Sequence, residues 1–118
     1  MPLEVAEVTD LQNYLLGVVN RADHHADNVR YVVLPLVGAM LLFKDVDRPI
    51  QVRTHAGSPA NVLWVHIGGA QYVFSYDHEA RSIVVKRGTV RGEVLERFTN
   101  STTVPEILRA FETLRTSA

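Results

Sequence analysis

The stretch NVLWVHI-GG-AQYVFSY, residues 61–76, constrains the fold more than any other part of the chain. Two alternating apolar runs separated by two glycines read as a β-hairpin, because a two-residue primed turn needs positive φ, which glycine adopts without strain. With Gly68 and Gly69 as the whole turn, Ile67 faces Ala70, Val65 faces Tyr72 and Leu63 faces Phe74. The next run, RSIVVKR, follows the turn DHEA at residues 77–80. That turn sets Phe74 opposite Ile83, Tyr72 opposite Val85 and Ser75 opposite Ser82.

Alternation then sorts the side chains onto two faces. Leu63, Val65, Ile67, Tyr72, Phe74, Ile83 and Val85 form a core face that helices must cover. Val62, Trp64, His66, Gln71, Val73, Ser75, Ser82, Val84 and Lys86 share the other. A plain solvent face would need only polar residues. Here Trp64, Val73 and Val84 make an apolar centre with His66, Gln71 and Lys86 at its rim, the pattern of a contact surface or a ligand groove. Val62, Trp64, His66, Gln71, Val73, Val84 and Lys86 are accordingly the candidate binding or interface residues.

The remaining elements follow from period and punctuation. Thr9 and Gln12 have capping-box spacing. From there Leu11, Tyr14, Leu15, Val18, Ala22, Val29 and Val33 keep one stripe at helical steps, which predicts a helix from about Asp10 to Val33. Pro35 limits it, since the residue before proline is pushed out of the helical region. Gly38–Lys44 and Pro49–Thr54 read as strands, and EVLERF at residues 93–98 as a short edge strand. A second capping box at Thr103 and Glu106, with Pro105 in the first turn, opens a last helix whose stripe is Val104, Ile107, Leu108, Phe111 and Leu114. The expected fold is α+β, a single domain over residues 1–118. Its antiparallel sheet has five to six strands, with a long N-terminal helix and a C-terminal helix on one face.

Candidate chemistry is sparse. The chain has no cysteine, which excludes disulfides, thiolate ligands and a thiol nucleophile. RADHHADN, residues 21–28, places His24 and His25 about 100° apart on a helix, so they cannot grip one ion together; Asp23, His24 and Asp27 fall on its polar side, where Asp27 meets His24 and Arg30 in ordinary surface pairing. No metal and no cofactor are expected. His55 and His66, near or within the sheet, are the candidates for acid–base catalysis with a carboxylate. Lys86, Arg87, Arg91 and Arg97 are interleaved with Glu93 and Glu96, and the net charge is −1, so nucleic-acid binding is disfavoured. The apolar run Tyr31–Phe43 is too short to span a bilayer, and the N-terminus lacks the signature of a signal peptide. A soluble cytoplasmic protein without membrane contact is expected.

The segment FSYDHEARSIVVKRGTVRGEVLERFTNSTTVPEILRAFETL, from Phe74 to Leu114, resembles small proteins encoded in mobile integron gene cassettes. The resemblance lies in the YDHEA hairpin, IVVKRG, the G-x-V-L-x-x-F strand and the N-S-T turn into a helix, about a third of the chain. It implies a compact α+β domain of a kind whose sheets often sit in oligomers, and it assigns no functional residue. The functional expectation is a non-enzymatic domain that self-associates, with a dimer burying Trp64 as the simplest form, and that takes a small ligand or partner protein. The alternative is a small hydrolase or isomerase using His55 or His66.

Overall fold

A computed structural model describes residues 29, 31–55, 58–77, 79–89 and 91–117, and of residues 52–55 and 58–61 only the backbone path. The order is α1 (Val33–Phe43), β1 (Gln51–His55), β2 (Ser58–Ile67), β3 (Ala70–Asp77), β4 (Ser82–Arg87), β5 (Val94–Phe98) and α2 (Val104–Thr116). The strands form one antiparallel sheet in sequence order, β1-β2-β3-β4-β5, so each pairs with its chain neighbour. The α+β class and the antiparallel sheet are as the sequence implies. The helix expected from Asp10 lies, except for its last residues, outside the described residues.

The β2–β3 hairpin has the register read from its glycines, with Leu63 opposite Phe74, Val65 opposite Tyr72 and Ile67 opposite Ala70. Gly68 and Gly69 sit at φ of 61° and 89°. Asp45 anchors this turn from 23 residues away: its carboxylate accepts from the Gly68 N–H and the Gly69 N–H, each at 2.9 Å. Its own N–H donates to the His66 carbonyl at 2.8 Å.

The β3–β4 register differs from expectation by two residues. Phe74 faces Val85, Tyr72 faces Arg87, and Asp77 faces Ser82. Arg81 supplies a positive φ of 50° that its residue type does not advertise, and Asp77 Oδ1 accepts from the Glu79 and Ala80 N–H groups, closing a longer turn. Ser75 therefore opposes Val84 rather than Ser82. A slip of two preserves which face each residue takes.

Around Pro35 the structure differs from expectation. Pro35 lies in the first turn of a helix that begins at Val33, α1, where an N–H would lack an intrahelical partner in any case. Gly38–Lys44 is accordingly no strand, since Gly38–Phe43 belongs to α1.

Both described helices cover the expected core face. Val33, Leu36, Val37 and Met40 of α1 and Ile107, Phe111 and Leu114 of α2 pack with Leu63, Val65, Ile67, Tyr72, Phe74, Val85 and Phe98. Phe111 is the hub, its ring 5.6 Å from Phe43, 5.7 Å from Phe74 and 6.3 Å from Phe98 between centroids. The buried Tyr72 hydroxyl donates to the Leu114 carbonyl at 2.7 Å, tying the sheet to the end of α2.

The caps show how the helices are fixed. At α2 the capping box is present: Glu106 N–H donates to Thr103 Oγ1 and Thr103 N–H to the Glu106 carboxylate. At α1 the N-cap Val32 has no side chain to offer. Asn100, in the turn before α2, instead fixes the chain entering α1, its Oδ1 accepting from Tyr31 N–H at 2.8 Å and Val32 N–H at 3.1 Å. Asn100→Ala is expected to lower stability by about 1–2 kcal/mol, whereas Asn100→Asp, which keeps an acceptor, loses less. Urea melts of the two variants check this; equal losses would mean that the Asn100 acceptor does not hold the entry to α1.

Candidate functional site

The second sheet face is built by the parity of the five strands. Gln51, Trp64, Val73 and Lys86 lie in one cross-strand row, Val62, Ser75, Val84 and Arg97 in the next, and His66 opposes Gln71 at the hairpin end. The sequence-derived surface residues are thus together on one face. Its centre, however, is not open. Val73 is 0% and Val84 2% exposed within the single chain, although neither belongs to the core cluster beneath the helices. Val62, Trp64, His66, Gln71 and Lys86 are half-buried around them. Trp64 and Lys86 are both engaged by other groups. His66 Nδ1 is buried and has no hydrogen-bond partner among the described residues, which costs free energy unless something supplies one.

Electrostatics on this face serve structure. Arg97 donates to Asp77 Oδ2 at 3.2 Å and to the buried Ser82 hydroxyl at 3.4 Å. The Ala80 N–H, then the Arg97 guanidinium, hold the Asp77 carboxyl below the usual carboxylate range. Because the folded value is the lower one, this stabilisation is present above the unfolded pKa of about 3.9 and fades as pH falls through the folded value. Arg97 is thereby committed. Arg87, on the opposite side of β4 from Lys86, donates to the Ser117 carbonyl at 3.1 Å. The basic residues do not form one free stripe.

Of the two histidine candidates only the side chain of His66 is described, and among the described residues it joins no catalytic group. Its Nδ1 has no carboxylate partner among the described residues. The side chain of His55 lies outside the described residues, as do His24, His25, Asp23, Asp27 and His78. Among the described residues no three His, Asp or Glu side chains come together as a metal site.

A second surface was not singled out from sequence. The sequence of α1, VLPLVGAMLLF, contains no polar side chain, so whichever side faces outward is apolar. At about 100° per residue, Leu34, Gly38, Leu41 and Leu42 fall within roughly 100° of arc, opposite the buried Val33, Leu36, Val37 and Met40. Leu34 is 61%, Leu41 49% and Leu42 71% exposed, with Tyr31 and Val46 exposed beyond the two ends. An added Cβ at Gly38 would meet nothing within 4 Å, leaving a shallow notch in the middle. The signal was present in sequence as the absence of any polar residue across two or three helical turns.

No helix among the described residues is long and apolar enough to cross a membrane. A family model described as integron cassette protein VCH_CASS1 chain matches residues 11–109. No curated protein matches the chain.

Proposed function

Because the chain belongs to the integron cassette protein VCH_CASS1 family, a membership that carries no reaction with it, we propose from its surfaces that it is a non-enzymatic α+β domain that self-associates. The observation that carries this reading is the outward side of α1. A helix apolar all round is normally buried all round, yet this one leaves three leucines in water. Exposed apolar stripes of this kind mark protein contacts. The same reading places the protein in the cytoplasm, consistent with its cysteine-free composition.

A small ligand on the sheet face is the accompanying proposal. It rests on His66 Nδ1, which has no partner among the described residues and to which a ligand donor or acceptor would supply one; the His66 ring resonances would report such binding.

Light scattering over a dilution series tests self-association. The expected result is at least twice the chain mass of 13.2 kDa at high concentration, falling on dilution if exchange is fast. A single-chain mass at millimolar concentration would overturn it.

A further inference from the structure

We infer that the occupant of the α1 face is the α1 helix of a second copy, crossing antiparallel about a twofold axis at Gly38. The inference rests on self-association as proposed above and specifies its surface and geometry.

Three features on the face converge on this arrangement. The first is area. Leu34, Leu41 and Leu42, with Tyr31 at the end of the stripe, offer on the order of 400 Å² of apolar surface. The apolar share of a standard-size interface, a little over half of about 800 Å² per partner, is close to that figure.

The second is charge. A twofold interface sets each surface against itself, so any charge on it faces its own sign. From Tyr31 to Phe43 the chain has no charged residue; the nearest in sequence are Arg30 before the stretch and Lys44 and Asp45 after it. The stripe is therefore self-compatible, and it gives a partner of strong charge nothing to pair with.

The third is shape. Gly38 lies in the stripe with open space above it. A small residue at a crossing point lets two helix backbones approach closely, with larger side chains closing on either side. About Gly38 an antiparallel crossing sets Leu34 of one copy beside Leu42 of the partner subunit, and the reverse. Each copy thus contributes two leucines and one notch, and the same contact is made twice.

The absence of cysteine makes the test direct. Gly38→Cys gives one thiol per chain, placed where two α carbons would come within disulfide reach. Under mild oxidation it should form a covalent dimer at least tenfold faster than Thr113→Cys, on the exposed side of α2. Orientation is read by mixing Leu34→Cys chains with Leu42→Cys chains. The mixed disulfide should exceed the product of two Leu34→Cys chains, and this arm also stands if Gly38→Cys fails to fold.

Wild-type protein of dimer mass whose Gly38→Cys and Leu34/Leu42 pairs crosslink no faster than Thr113→Cys would overturn this geometry while leaving self-association intact. A monomeric wild type would overturn both. A monomer in which the thiol introduced by Gly38→Cys is also shielded from alkylation would assign the face to another segment of the same chain.

Discussion

Phe111→Ala is expected to lower the free energy of unfolding by about 3–5 kcal/mol, a large part of the total for a domain of this size. Phe111 is fully buried and is the ring on which Phe43 of α1, Phe74 of β3 and Phe98 of β5 converge. Truncation removes the transfer free energy of the ring and leaves a cavity bordered by three aromatic neighbours. Those neighbours sit on three separate elements, and none can collapse into the space without leaving its own contacts. Phe111→Leu, which refills most of the volume, should recover about half of the loss. Urea unfolding followed by circular dichroism measures both. A loss below about 1 kcal/mol for the alanine variant would mean that α2 is not docked through this ring.

How much of this was legible in the sequence depended on whether the deciding interaction was local. The β2–β3 register could be read because two glycines leave only one economical turn, and the α2 cap because its partners are three residues apart. The β3–β4 turn could not, because Arg81 adopts a left-handed conformation without being glycine or asparagine. The parity of the faces survived that error, since a slip of two returns every side chain to its own side.

The misreading of Gly38–Lys44 as a strand has a different cause. A helix with no polar residue has no 3.6-residue contrast to detect, so a short stretch of it fits a strand template as well. The same uniformity hides the outward leucines of α1, which become visible only once the inward ones are known. Asp45 on the Gly-Gly turn and Asn100 at the start of α1 act across 23 and 69 residues, and no spacing rule reaches them. On the sheet face the residues assembled as expected, but periodicity could not tell that Val73 and Val84 would be buried within the chain.

That burial separates the two candidate contact surfaces experimentally. Leu42→Asp places a charge on a side chain that is 71% exposed in the single chain, so the fold should tolerate it. In the dimer two such charges would lie, by the twofold, in an apolar contact with no counter-ion. Desolvated charges left unpaired in an interface cost about 2–5 kcal/mol, which weakens association by roughly 30- to several-thousand-fold. Trp64→Glu acts on a half-buried residue beside Val73, and should cost stability without dissociating the dimer. Sedimentation velocity of wild type, Leu42→Asp and Trp64→Glu, with far-ultraviolet circular dichroism on the same samples, tests the assignment of the contact to α1 most directly. The expected result is a dimer for wild type and Trp64→Glu, and a folded monomer for Leu42→Asp. A Leu42→Asp dimer beside a folded Trp64→Glu monomer would contradict it and place the contact on the sheet.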